Sequence, residues 1–155
     1  MKILFLGDII GLSGCNMIEQ HLPDLIKKKQ IDFVIVNGEN CAENGLGITE
    51  EIANNLFNSG VNVITSGNHI WEQKETANYI EKEDRLLRPY NSISPTPGKG
   101  FQIYTLNNGK KIGILNLMGN IFMKKCENVF ESAKKFLENN SLKKNYDFLV
   151  VDFHG

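Results

Sequence analysis

Side chains that can bind a metal ion or transfer a proton follow directly after four short apolar runs of this sequence. They are Asp8, Glu39 with Asn40, Asn68 with His69, and His154. Carboxylate and amide oxygens combined with imidazole nitrogens suit manganese, iron or zinc better than calcium or a thiolate-preferring ion. Each residue alone would be interpreted as a turn residue or a helix cap. Their recurrence at equivalent places favours one shared site.

The apolar runs predict strands buried on both faces of a parallel sheet, because they lack the polar alternation of a half-solvated strand. These predicted strands are Ile3–Leu6 and residues 33–36, 61–65 and 148–153. The turn Asn107-Asn108-Gly109 predicts a hairpin between Phe101–Thr105 and residues 112–117. Helical periodicity predicts helices over residues 16–28, from an N-cap at Thr49 to a stop at Gly60, over 72–81 and over Val129–Asn139.

Strands that alternate with helices predict a layered α/β fold with a mixed, mainly parallel sheet. In open sheets of this class, ligands bind beyond the carboxyl ends of the strands. The candidate residues stand at those ends. Glycine precedes Asp8, Glu39 and Asn68, which allows the backbone to approach a ligand closely.

Length and composition exclude several classes of protein. The 155 residues fit one domain spanning 1–155, and 41% hydrophobic with 23% charged residues is typical of a folded globular chain. A net charge of −1 gives no general attraction to nucleic acid or to a membrane surface. No apolar stretch is long enough for a signal peptide or a membrane span, so we expect a cytoplasmic protein. The three cysteines have neither disulfide-framework nor zinc-finger spacing.

Several segments, in order along the whole chain, carry a resemblance to a known family. They are Gly7-Asp8, Asn37-Gly38-Glu39-Asn40, Gly67-Asn68-His69, Arg88-Pro89, residues 96–100 and Asp152-Phe153-His154-Gly155. The sequence resembles the YmdB-like bacterial family of calcineurin-like metallophosphoesterases, which are cyclic-nucleotide phosphodiesterases. The resemblance covers only the amino-terminal part of the family's domain. It implies a layered calcineurin-like metallophosphoesterase fold whose carboxy-terminal part is missing here.

The resemblance also implies roles for the candidate residues. Asp8 would bind one divalent metal ion, Glu39 would bridge two ions of iron or manganese, and Asn68 with His154 would bind the second. Asn40 would face the substrate phosphate. His69 would be the general acid in hydrolysis of a 2′,3′- or 3′,5′-cyclic nucleotide by a hydroxide activated between the metals. Family members supply two further histidine ligands beyond the last matching segment, so we expect this chain to hold one ion.

Other interpretations remain open at this point. A truncated, non-catalytic remnant could bind a nucleotide or a partner protein, and the missing ligands favour that hypothesis. A Rossmann-like cofactor-binding module would need a glycine fingerprint after the first strand, and residues 7–11 do not provide one. The expected partner is a small phosphodiester or cyclic nucleotide, and the sequence leaves open whether the chain forms a homo-oligomer. Loss of further strands predicts an open sheet edge and reduced stability.

Overall fold

The structure is a computed structural model that describes residues 1–93, 95–123 and 126–155. In chain order its elements are β1 (Ile3–Leu6), α1 (Gly11–Lys29), β2 (Phe33–Asn37), α2 (Glu50–Asn58), β3 (Val63–Thr65), a 3₁₀ helix (Asn68–Trp71), α3 (Thr76–Ile80), β4 (Phe101–Thr105), β5 (Lys111–Met118), α4 (Val129–Asn139) and β6 (Phe148–His154). The predicted alternation of strands and helices is confirmed.

The strands divide between two sheets. Strands β1, β2 and β3 form a parallel sheet in that order, so the first three strands are neighbours in space as well as in sequence. In the second sheet, β5 lies between β4, with which it is antiparallel, and β6, with which it is parallel. Most strand pairs are therefore parallel, as predicted, whereas the division into two sheets has no local sequence signal.

The two sheets pack face to face and carry helices on their outer faces. Ile35 of β2 and Ile114 of β5 belong to the apolar core between the sheets. The next residue of β2, Val36, points to the opposite face and packs in the cluster that includes α1 and α2, because successive side chains alternate across a strand. Phe136 of α4 packs with Leu115 on the outer face of the second sheet. The order of layers is helix, sheet, sheet, helix.

Helix α1 begins at Gly11, whereas the sequence predicted a start at residue 16. Gly11 has a left-handed φ of +59°, and its N–H donates to the carbonyl oxygen of Asn40 at 2.8 Å. This long-range contact fixes the start of the helix, so apolar periodicity could not reveal it. Met17, an apolar residue within the predicted helix, is 59% exposed. The buried residues of α1 are Cys15, Ile18 and Leu22.

The helix predicted over residues 72–81 is shorter in the structure, because the 3₁₀ helix ends at Trp71 and α3 covers only Thr76–Ile80. Side chains here bond to the loop before α2. The Gln73 amide donates to the carbonyl oxygen of Leu46 at 2.7 Å, and the Thr76 hydroxyl donates to that of Ile48 at 2.7 Å. Such side-chain bonds compete with a regular helix, and they attach this segment to that loop.

Strand β6 lies at an edge of the second sheet, where it pairs only with β5 among the described residues. Val151 and Phe153 of this strand are exposed. The open edge expected from the sequence is therefore present. Within the described part of the chain, no helix has the length and apolar character needed to cross a membrane.

Candidate metal centre and active site

Glu39 lies at the centre of the candidate site, in the turn that follows β2. Its N–H donates to the side-chain oxygen of Asn37 at 3.2 Å, which shapes the turn. The carboxylate is 1% exposed. Its Oε1 accepts a hydrogen bond from the backbone N–H of His69 at 2.8 Å. This bond joins the end of β2 to the 3₁₀ helix that follows β3.

The other carboxylate oxygen, Oε2, converges with two further atoms that have lone pairs. Oε2 of Glu39 lies 2.9 Å from Nε2 of His154, and that nitrogen lies 3.2 Å from Oδ1 of Asn68. A ring nitrogen carries at most one proton, so it cannot donate well to both oxygens. Oε2 is buried and accepts no well-aligned hydrogen bond. One carboxylate oxygen, one amide oxygen and one imidazole nitrogen are the donors that manganese, iron or zinc would accept, so these residues fit a divalent cation.

Gly67 allows this convergence by having no side chain. A Cβ at this position would overlap Oε2 of Glu39 and the imidazole ring of His154. The backbone of Gly67 therefore takes space next to the donor atoms that any larger residue would need. The glycine before Asn68, noted in the sequence for its freedom to turn, is required here for close approach.

The electrostatic environment of His154 is strongly negative. The adjacent carboxylate of Glu39 raises the pKa of His154 above its ordinary value, and burial of the ring acts in the opposite direction. The charges of Asp152 and Asp8 raise this pKa further. Three carboxylates therefore act on one imidazole, and a site with this potential attracts cations.

A second chain of contacts connects Asp8, Asn40 and His69. The amide nitrogen of Asn40 donates to Oδ1 of Asp8 at 2.9 Å, and the amide oxygen of Asn40 lies 3.1 Å from Nδ1 of His69. The same Nδ1 lies 3.4 Å from Oε1 of Glu39. Asp8 has a left-handed φ of 53°, which turns the chain directly after β1. Its carboxylate bonds to Asn40 and is not one of the three converging donor atoms.

The structure thus brings all six predicted residues to one place. They form a continuous set of contacts that runs Asp8, Asn40, His69, Glu39, His154, Asn68. The remaining histidine, His21, is exposed on α1. Among residues 1–93, 95–123 and 126–155, no three His, Cys, Asp or Glu side chains form a metal site by themselves, and the candidate donor set includes the amide oxygen of Asn68.

Sequence reasoning did not assign a role to the pair Asn37 and Asp152. The Asn37 amide donates to Oδ2 of Asp152 at 2.8 Å, which ties the end of β2 in one sheet to β6 in the other. Asp152 precedes His154 by two residues, so both side chains lie on the same face of β6. The sequence did contain a signal for this role, because Asp152 is a polar residue on the same strand face as the candidate ligand His154. The pair positions His154 relative to Glu39.

Comparisons with known proteins agree with this architecture. Residues 4–155 match the family described as YmdB-like protein. The chain is 39% identical over its full length to the 2′,3′-cyclic-nucleotide 2′-phosphodiesterase of Bacillus subtilis, of which it covers 57%. The chain therefore spans little more than half the length of that relative.

Two solved structures share the fold across 99% of this chain. One is a hypothetical protein from Thermus thermophilus, with a TM-score of 0.89 and 34% identity, of which this chain covers 57%. The other is a novel phosphatase from Mycoplasma pneumoniae, with a TM-score of 0.87 and 36% identity, of which this chain covers 55%. The predicted layered, calcineurin-like α/β fold is confirmed. Because the family match extends over nearly every residue of the sequence, the chain belongs to the YmdB-like family.

Proposed function

We propose that this chain carries a metal-dependent phosphodiesterase site that acts on cyclic nucleotides, with either a 2′,3′- or a 3′,5′-cyclic phosphate. The observation that carries the proposal is the convergence of Oε2 of Glu39, Oδ1 of Asn68 and Nε2 of His154, with His69 directly beside them. The named activity of the Bacillus subtilis relative supports this substrate class.

Two sets of residues would hold iron or manganese. Glu39, Asn68 and His154 would hold one ion, and Asp8 with Glu39 would provide fewer ligands for a second. A divalent ion supplies Lewis acidity there, which polarises phosphoryl oxygens and activates water for attack on phosphorus. The buried Glu39 carboxylate offers one oxygen toward His154 and the other toward His69, so a single residue couples the metal set to the proton-transfer group.

His69 is suited to be the general acid. Its Nδ1 faces two acceptors, the amide oxygen of Asn40 and the carboxylate of Glu39, so the proton on Nδ1 is held there. In its imidazolium form the ring would then give the Nε2 proton to the ribose oxygen as the bond from that oxygen to phosphorus breaks, and it would keep the Nδ1 proton. The side chain is 33% exposed, so substrate can reach it. Asn40 would face the phosphate while its amide orients His69.

A non-catalytic nucleotide-binding module is the second candidate. The specific observation in its favour is that Asp8 bonds to Asn40 rather than joining the three converging donor atoms. A site that holds one ion can bind a phosphate without the paired ions that clamp an in-line displacement.

The test is hydrolysis of bis(p-nitrophenyl) phosphate and of adenosine 2′,3′- and 3′,5′-cyclic phosphates by the purified chain with Mn²⁺ or Fe²⁺. His69→Ala should lower kcat by about 100-fold or more, because general acid catalysis contributes roughly 10²–10⁴-fold. Its Mn²⁺ affinity should stay close to that of wild type, because His69 is not in the converging donor set. His21→Ala is the matched control and should behave as wild type.

Equal turnover by wild type and His69→Ala would contradict the assigned role of His69. A folded wild-type chain that binds a cyclic nucleotide and does not hydrolyse it would favour the second candidate.

A further inference from the structure

A cavity of about 350 Å³ opens beside the converging donor atoms. Gly67 and Asn68 line it at the end nearest the candidate site, and Trp71, Ile93 and Met118 provide apolar walls. Its volume is near the lower end of the range for small-ligand pockets, roughly 300–1,000 Å³. It can hold a group the size of one nucleoside, and it is too small for a polymer.

The position of Trp71 relative to Asn68 follows from the 3₁₀ helix. Residues i and i+3 of such a helix lie above one another, because it has about three residues per turn and rises about 2.0 Å per residue. Asn68 and Trp71 are the first and last residues of this helix, so they lie on one side of it, separated by about 6 Å along its axis. The helix therefore presents a proposed metal ligand and an indole ring to the same cavity.

The walls of the cavity suit a planar heteroaromatic group. Trp71 packs partly against the core, which holds its ring in place. Ile93 is 53% exposed at this cavity although it is apolar. The hydroxyl of Thr96 lines the same cavity, is buried, and has no hydrogen-bond partner among residues 1–93, 95–123 and 126–155. A nucleobase has apolar faces for the aromatic and aliphatic walls and a polar edge for such a hydroxyl.

We infer that this cavity is the nucleoside subsite of the proposed phosphodiesterase, with Trp71 stacking on the base while the phosphate lies beside Asn68. The inference rests on the proposed function for the position of the phosphate. It adds the residues that would distinguish a nucleotide from a small phosphodiester.

Trp71 is the only tryptophan of the chain, so its fluorescence reports directly on the cavity. The test titrates the metal-free protein, in EDTA to prevent turnover, with adenosine, adenosine 2′,3′-cyclic phosphate and inorganic phosphate. Adenosine and the cyclic nucleotide should quench the fluorescence to saturation, and inorganic phosphate should leave it unchanged. Absence of quenching by both adenosine compounds would overturn the inference.

Variants provide a second test by calorimetry. Trp71→Leu should weaken binding of the cyclic nucleotide by about 5- to 150-fold, the range expected for loss of one base-stacking contact, and Trp71→Phe should retain most of the affinity. Ile93→Asp changes an exposed residue and should also weaken binding. Phe130→Leu removes an exposed aromatic ring on α4 as the matched control and should have no effect. Wild-type affinity in both Trp71→Leu and Ile93→Asp would contradict the subsite.

The binding and hydrolysis assays together distinguish failure of the subsite from failure of the proposed function. A chain that shows saturable quenching by adenosine and hydrolyses no phosphodiester retains the subsite and loses the phosphodiesterase assignment. A chain that hydrolyses bis(p-nitrophenyl) phosphate and shows no quenching retains the activity and loses the subsite.

Discussion

Replacing Gly67 with alanine tests the geometry of the candidate site without removing any proposed ligand. The added Cβ would lie 2.5 Å from Nε2 of His154, and real Cβ atoms essentially never approach another heavy atom within 3.0 Å. The imidazole or the Gly67 backbone must therefore move by more than about 0.5 Å, which exceeds the tolerance within which a functional site has to be held. Oε2 of Glu39 would be displaced as well.

The expected cost has two parts. Displaced ligands should weaken Mn²⁺ binding by about 10- to 100-fold, comparable to the loss of a residue that orients a metal ligand. Overpacking should lower the free energy of unfolding by about 1–3 kcal/mol. Isothermal titration calorimetry with MnCl₂ and urea denaturation measure the two effects separately.

Gly7→Ala is the matched control for this substitution. Its Cβ would make an ordinary contact, 3.5 Å from the ring of Phe5, so Mn²⁺ affinity should stay close to that of wild type. Equal Mn²⁺ affinity of Gly67→Ala and Gly7→Ala would show that the atoms that bind the metal do not converge beside Gly67. That result would refute the proposed metal site.

Two further predictions concern stability away from the donor atoms. Asn91 is buried and bonds to the backbone N–H and carbonyl of Met118 and to the carbonyl of Glu127, so Asn91→Ala should lower the unfolding free energy by on the order of 3 kcal/mol, measured in urea. Hydrogen bonds from the Arg85 side chain lower the pKa of Glu83. The resulting stabilisation is present above the unfolded-state pKa near 4.5 and is lost as pH falls through the lowered folded-state pKa. The difference in unfolding free energy between wild type and Glu83→Gln, measured from pH 7 to pH 3, should therefore shrink toward acid pH.

Elements with strong local signals could be predicted from the sequence. Helix α4 has the predicted bounds, because Asn128 caps its start by accepting hydrogen bonds from the N–H groups of Phe130 and Glu131. The predicted N-cap of α2 is also confirmed, since the Thr49 hydroxyl accepts from the N–H of Ile52 at 3.2 Å. In both cases a short polar side chain and the residues directly after it determine where the helix begins.

Features that depend on distant residues could not be predicted. The start of α1 depends on a bond to the backbone of Asn40, and the interruption between the 3₁₀ helix and α3 involves bonds from Gln73 and Thr76 to the loop before α2. The division into two sheets likewise depends on packing between strands far apart in the chain. Local propensity contains no information about such partners.

The candidate site lies between these two cases. Parallel strands present their carboxyl ends at one edge, so the residues after β1, β2 and β3 could be placed together from the sequence. The hydrogen bond between Asn37 and Asp152 joins residues 115 positions apart across two sheets. No spacing rule would reveal that bond, although it aligns the two halves of the donor set.

The most direct test of the central claim is anomalous diffraction at the manganese absorption edge, using crystals of this chain grown with Mn²⁺. We predict an anomalous peak coordinated by Oε2 of Glu39, Oδ1 of Asn68 and Nε2 of His154, and loss of that peak in Glu39→Gln. A well-ordered crystal with no peak there, or with its strongest peak beside other residues, would contradict the assignment of these three residues as a metal site.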